Sequence, residues 1–205
     1  MLGGETSELS QARLKEAGLG VDVVDGYRRV ILSYNRANPM NFVGVRLVLA
    51  TLAKPIGLQA APREIGVLRF WTPPWPIERL PPMVSVSDIT GDVRHKINDL
   101  AAATGIDRGQ VVPSLYRHLV PWPALIDLVH AEVAPRVQSG EVMALTSRIA
   151  EALQIEAEAL AFRMPPISDV VRTQEVTSAL EAFSLLIPEM VVIGRLLMSG
   201  LGREA

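Results

Sequence analysis

Prolines divide this chain more sharply than any other residue type. Seven of the 15 prolines fall within residues 54–87, at positions 55, 62, 73, 74, 76, 81 and 82. A proline inside a helix removes one hydrogen bond and costs about 3 kcal/mol or more, so this stretch cannot form one long helix. We predict a Pro/Trp-rich connector over residues 54–82, and we expect the large apolar side chains of Trp71 and Trp75 to anchor it to the core.

Helical periodicity dominates the segments on both sides of this connector. Residues 23–34 place apolar side chains on one stripe at a spacing of three and four residues, which is typical of a half-buried helix. Asn38 is a good N-cap and Pro39 suits a first helical position, so we predict that one helix ends there and another runs over residues 39–53. Pro188 predicts a similar start for the last helix. No segment alternates with a period of two, and the pattern predicts an all-α protein of about eight or nine helices.

Two of the helical stretches resemble each other. Tyr34–Leu52 and Phe183–Leu201 align at an offset of 149 residues, which pairs Pro39 with Pro188 and Arg46 with Arg195. The similarity predicts a helical repeat protein with one partial copy over residues 1–53 and one full copy over residues 83–205, in one compact body. We expect the front half of the first copy to be encoded upstream of Met1, or to be missing.

Composition excludes several classes of function. The chain has no cysteine, so disulfides, thiolate nucleophiles and Cys-ligated zinc are ruled out. A formal charge of −2 argues against a nucleic-acid surface. Arg46, Glu189 and Arg195 interrupt the two most apolar stretches, and the first ten residues lack the basic and apolar regions of a signal peptide. We therefore expect a cytoplasmic protein that binds neither membranes nor nucleic acids.

Three stretches resemble the group I 2-haloacid dehalogenases. They are YNRANP at Tyr34–Pro39, VPSLYRHL at Val112–Leu119 leading to Trp122-Pro123, and the C-terminal Phe183–Gly202. The resemblance implies an all-α protein of two repeats with the active site in a channel between them, here shortened at its N-terminus. It also implies a hydrolase without a cofactor, which removes halide from a short 2-haloalkanoic acid through a water activated by an aspartate.

The resemblance places the family's functional residues as follows. Asn35 matches the asparagine that positions the water, and Ser114 matches the serine that flanks the catalytic aspartate. Leu115 occupies the position of that aspartate, and a leucine cannot accept a proton. Asp107 and Asp127 are the nearest carboxylates that could replace it. The alternative is a non-catalytic helical protein that binds a small apolar carboxylic acid or serves in oligomerisation.

Other polar residues have simpler interpretations. The three histidines, His95, His118 and His130, would have to converge from separate helices to bind a metal, and we expect neither metal nor cofactor. Arg46 and Arg195 could bind a carboxylate, although a role at the helix surface is the simpler interpretation. We expect Glu151, Glu156 and Glu158 to form a solvated helix face. The apolar run 42–53 would be left exposed by an incomplete first repeat, which predicts a homo-oligomer.

Overall fold

The computed structural model describes residues 7–53, 79–101, 112–161, 164 and 174–201. Helices make up 81% of these residues and no strand occurs among them, which confirms the predicted all-α class. The described residues form α1 (Gln11–Glu16), α2 (Val21–Leu52), a short 3-10 turn (Val86–Asp88), α3 (Gly91–Leu100), α4 (Ser114–Leu119), α5 (Pro123–Gln138), α6 (Glu141–Ala161) and α7 (Gln174–Gly200).

Local sequence signals set several of these helix ends. The Ser10 hydroxyl accepts a hydrogen bond from the Arg13 amide and caps α1. Gly18 follows α1 with φ +73°, a left-handed conformation that glycine adopts without steric cost and that commonly ends a helix. Gly140 lies in the same region at φ +78° and allows the tight turn between α5 and α6.

Three prolines lie inside helices instead of bounding them. Pro39 lies within α2, Pro135 within α5 and Pro188 within α7. The predicted helix boundaries at Asn38-Pro39 and at Pro188 are therefore wrong. Packing between α2 and α7 outweighs the local cost of Pro39 and Pro188, because these two helices form the most extensive helix pair in the described chain.

The core lies between α2, α4, α5 and α7. Its largest fully buried side chains include Tyr27, Ile31, Tyr116 and Leu115. α3 packs on α5, and α6 packs on both α2 and α7. The half-buried Trp122, at the start of α5, packs against the core beside Gly26 of α2. These contacts place the middle of α2 and all of α4 at one junction, where the candidate site lies.

Two sequence predictions concern the connector and the end of α2. Most of the predicted connector, residues 54–78 with Trp71 and Trp75, lies outside the described residues. Its last residues are described, and Leu80 packs against the core. The run 42–53 differs from the expected exposed face, since Phe42 is fully buried and most residues from 43 to 50 are half-buried. α6 covers this part of α2.

Candidate functional site

Asn35 lies in the middle of α2 and contacts α7. Its side-chain amide donates a hydrogen bond of 2.9 Å to the backbone carbonyl of Gly194. A Cβ atom built on Gly194 would lie 2.5 Å from Asn35 Oδ1, so the two helices meet here at a distance that only glycine allows. The amide predicted to position a water is therefore used to join two helices.

Asn38 has a different role from the one that its sequence position predicts. It lies inside α2 and is 9% exposed, so the prediction that it caps a helix is wrong. Its Nδ2 atom finds no hydrogen-bond acceptor among the described residues. Because Pro39 lacks an N–H, it donates no helical hydrogen bond to the carbonyl of Asn35. The middle of α2 thus contains a buried side-chain amide without an acceptor and a backbone carbonyl without its helical donor, which is unusual in a packed helix.

Ser114 and Leu115 begin α4 and point in different directions. Ser114 is exposed at the first position of the helix, whereas Leu115 is 1% exposed and belongs to the hydrophobic core. The position that corresponds to the family's aspartate therefore faces apolar side chains. A carboxylate there would be desolvated, and no water held near Ser114 would meet it.

Tyr34 connects α2 to α4. Its ring meets the ring of His118 edge-on, with centroids 5.9 Å apart, which brings Tyr34 to the face of α4 that also carries Ser114, four residues before His118. The His118 Nδ1–H donates to the carbonyl of Pro81 at 2.7 Å. Burial raises the pKa of Tyr34, while the Ser114 hydroxyl and the positive charge of Arg117 act in the opposite direction. Tyr34 therefore stays a neutral phenol at physiological pH.

Arg117 is the charged member of this group. Its Nε–H donates a hydrogen bond of 2.8 Å to the carbonyl of Val84, and the Val84 amide donates to the carbonyl of Arg117 at 3.2 Å. The two bonds fix the guanidinium to the segment that precedes α3. We call Tyr34, Ser114 and Arg117 the α2–α4 polar site.

The carboxylates that could replace the missing aspartate lie elsewhere. Asp127 is exposed and accepts a hydrogen bond of 2.7 Å from Lys96, which links α5 to α3. Lys96 also pairs with Asp92 within α3. Asp107 lies outside the described residues. Glu189 is fully buried in α7, and the predictions assigned it no role. The sequence feature that could have identified Glu189 is a single acidic residue within a long apolar run. The corresponding feature for Gly194 is an isolated glycine in an apolar helix.

The remaining predicted residues occupy the surface or helix seams. Glu151, Glu156 and Glu158 are all exposed, as expected for a solvated face. Arg195 is exposed, whereas Arg46 is half-buried and reaches the carbonyl of Ala150 in α6.

Two of the three histidines contact another helix, His118 through the ring of Tyr34 and His130 through Asp99, whereas His95 is exposed on α3. The His130 Nε2 atom lies 3.1 Å from Asp99 Oδ2 and joins α5 to α3. Within the described ranges, no group of three or more His, Asp or Glu side chains is arranged to hold a metal ion.

One helix in the described chain is long and apolar enough to cross a membrane by length and composition alone. It is α7, and one third of its most apolar window is buried inside the protein. This evidence is weak, because a core helix of a soluble protein passes the same test. α7 also packs against α2 and α6, and it holds the buried Glu189 in its interior.

Comparison with known proteins adds no family assignment, since no protein-family model matches the chain and a search of the curated proteins finds no relative. The function must therefore be argued from the α2–α4 polar site and its surroundings.

Proposed function

We propose that this protein binds a small carboxylic acid at the α2–α4 polar site and does not hydrolyse it. The observation that carries the proposal is the packing of Tyr34 of α2 against His118 of α4, the helix on which Ser114 and Arg117 lie within one turn of His118. Ser114 is exposed there, so a ligand can reach the group from solvent. Hydroxyl and guanidinium donors together suit a planar anion.

Arg117 supplies the charge that such a ligand needs. Its Nε–H is occupied by Val84, and its two Nη groups make no hydrogen bond to the described residues. An arginine held through Nε presents its remaining donors in a fixed direction, which lowers the entropy lost on binding. Ser114 lies three residues before Arg117 on α4, so the two side chains share one face of the helix, and the charge of Arg117 acts on Tyr34. Both hydroxyls can donate to a carboxylate oxygen.

The same geometry argues against hydrolysis by the dehalogenase route. That route needs a carboxylate within hydrogen-bond reach of the attacking water. Leu115 faces the core, the Asn35 amide is bonded to Gly194, and Asp127 is paired with Lys96 at the surface. The 2-haloacid dehalogenase resemblance therefore supports the class of ligand, a short 2-haloalkanoic or similar apolar acid, more than it supports the reaction.

The resemblance also carries proposals about architecture. We propose that α2 and α7 are the equivalent helices of one partial and one full repeat, joined through the Pro-rich connector. In support, each contains an internal proline at the aligned position, and the two helices pack on each other. The cytoplasmic location and the homo-oligomer are further proposals, and light scattering of the purified protein tests the second.

Calorimetric titration with 2-chloropropionate and with propionate tests the proposed function. We expect saturable binding of both acids, and we expect Arg117→Met to raise Kd at least tenfold, since a hydrogen bond to a charged group contributes about 1.5–3 kcal/mol. Arg148→Met removes an exposed arginine from α6 and is the matched control, which should bind like the wild type. Halide release, measured in the same samples, should not exceed the buffer blank.

Two results would contradict the proposal. One is equal affinity in the Arg117→Met variant and the wild type. The other is halide release that Asn35→Ala abolishes, because this would mean that the family's hydrolysis persists through a base that replaces Leu115.

A further inference from the structure

The stretch of chain over residues 7–17, which we call the N-terminal arm, enters the core through two side chains. Five of the six residues of α1 are exposed, and Leu14 is the buried one. Leu9, in the turn before α1, is fully buried and belongs to the same core. No extensive packing joins α1 to another helix of the described chain. The arm therefore rests on the body with little apolar contact for its length.

A carboxylate on α5 fastens the start of the arm. Glu132 Oε2 accepts a hydrogen bond of 2.9 Å from the Ser7 hydroxyl and another of 2.9 Å from the Glu8 amide. The Glu132 side chain is 10% exposed, and a guanidinium nitrogen of Arg136 lies 3.6 Å from its other oxygen. Hydrogen bonds to an ionised acceptor are stronger than bonds between neutral groups. These two bonds therefore hold the first residues of the arm firmly against α5.

The last turn of α7 meets the same residues of the arm. A Cβ atom built on Gly200 would lie 2.6 Å from Ser7 Oγ and 2.9 Å from Leu9 Cβ. Because Cβ atoms do not come this close to other atoms, the arm reaches its position only because residue 200 is a glycine. Glu132 and Gly200 thus define the closed position of the arm from two different helices.

The other end of the arm has room to turn. Gly18 has φ +73°, and no atom lies within 4 Å of a Cβ built on Gly18 or on Gly20. Leu19, between the two glycines, packs against the core. One backbone hydrogen bond, from the Leu19 amide to the carbonyl of Leu14, crosses Gly18. Rotation about Gly18 therefore moves the arm at the loss of this bond and leaves Leu19 and α2 in place.

We propose that the N-terminal arm opens as one unit about Gly18, and that the Glu132 carboxylate is the latch that holds it closed. Opening exposes two leucines and breaks a few hydrogen bonds, whereas global unfolding exposes the whole core, so the arm opens at a smaller free-energy cost. Since the Ser7 hydroxyl faces the carboxylate, a negative charge at residue 7 is repelled by it and releases the arm. The arm is thus a switch that responds to charge at residue 7, and it does not depend on the proposed function.

Hydrogen–deuterium exchange of the full chain, followed by mass spectrometry, tests the proposal. In the wild type, the amides of the arm should exchange faster than those of α2 and α5. Ser7→Asp should speed exchange in the arm at least tenfold, because it replaces a hydrogen bond to a charged group with a like charge. Ser10→Asp is the matched control. It adds the same charge to the same arm at the N-cap of α1, where an aspartate is favoured, and should not speed exchange.

Two additional variants separate the latch from a general loss of stability. Glu132→Gln keeps an acceptor oxygen without the charge, and in this background Ser7→Asp should speed exchange in the arm less than it does in the wild type. Gly200→Ala should also speed exchange in the arm, since the added Cβ displaces Ser7 and Leu9. Three results would each overturn the proposal: equal exchange of the arm and α5 in the wild type, equal effects of Ser7→Asp and Ser10→Asp, or acceleration of α2 and α5 as large as that of the arm.

Discussion

The contact between Asn35 and Gly194 gives the sharpest stability prediction. Gly194 is buried in α7, and the Asn35 amide donates to its carbonyl at 2.9 Å. A Cβ atom at residue 194 would lie 2.5 Å from Asn35 Oδ1 and 3.3 Å from its Cγ. Gly194→Ala must therefore displace the Asn35 side chain, which breaks its hydrogen bond, and it also crowds the contact between α2 and α7.

Two opposing effects set the size of the change. Alanine in place of glycine inside a helix stabilises it by about 0.5–1 kcal/mol. Losing the hydrogen bond costs about 0.5–1.5 kcal/mol, and overpacking a tight contact costs about 1–3 kcal/mol. The costs exceed the gain, so we expect Gly194→Ala to lower the free energy of unfolding by about 1–3 kcal/mol.

Urea unfolding followed by circular dichroism measures this effect. Gly44→Ala is the matched control, because Gly44 lies inside α2 and no atom lies within 4 Å of its added Cβ, so it should stabilise the protein. In an Asn35→Ala background the obstruction is gone, and Gly194→Ala should become neutral or stabilising, with a coupling energy of about 1.5–3 kcal/mol between the two sites. A neutral or stabilising Gly194→Ala in the wild type would refute the reasoning.

Three other predictions follow from single contacts. Gly26→Ala should lower Tm, because its Cβ would lie 2.8 Å from Trp122 Cη2; an unchanged Tm would show that the indole moves at little cost. Leu115→Asp should unfold the protein or destabilise it by several kcal/mol without creating halide release, since the carboxylate would enter the apolar core; a folded, active variant in circular dichroism and halide assays would contradict this. Burial raises the pKa of Tyr34, so the stability that its neutral phenol contributes is complete below the pKa of about 10 in the unfolded chain and is lost as the pH rises through the pKa of the folded protein. Urea unfolding at several alkaline pH values should therefore show a smaller loss of stability with pH in Tyr34→Phe than in the wild type.

Local signals in the sequence were sufficient for the helical class and for several helix ends. Gly18 ends α1 because its left-handed φ terminates a helix. The sequence predicts helices over 113–119 and 141–162, and α4 and α6 begin and end within about two residues of these bounds. Pro39 and Pro188 did not end their helices. The helix-breaking tendency of proline is a local property, and here the packing of α2 against α7 is more favourable than the cost of the two prolines. This packing involves residues far apart in the chain, so it cannot be predicted from the sequence around each proline.

The candidate site could be predicted only residue by residue. The sequence singled out Asn35 and Ser114, but each has a partner that is distant in the chain. Asn35 bonds Gly194, and the face of α4 that carries Ser114 meets Tyr34 across the α2–α4 junction. The importance of Arg117 depends on its bond to Val84, which lies 33 residues earlier in the chain. Such partners depend on the angles at which helices cross, and no local pattern encodes them.

The central claim is that the α2–α4 polar site binds a short carboxylic acid through Arg117 and leaves the carbon–halogen bond intact. The most direct test is an NMR titration of the protein with 13C-labelled 2-chloropropionate, followed by a chloride assay of the same sample after long incubation. We predict a saturable shift of the carboxylate resonance that Arg117→Met removes and Arg148→Met preserves, with no chloride above the blank. A shift that is unchanged in Arg117→Met, or stoichiometric release of chloride by the wild type, would contradict the claim.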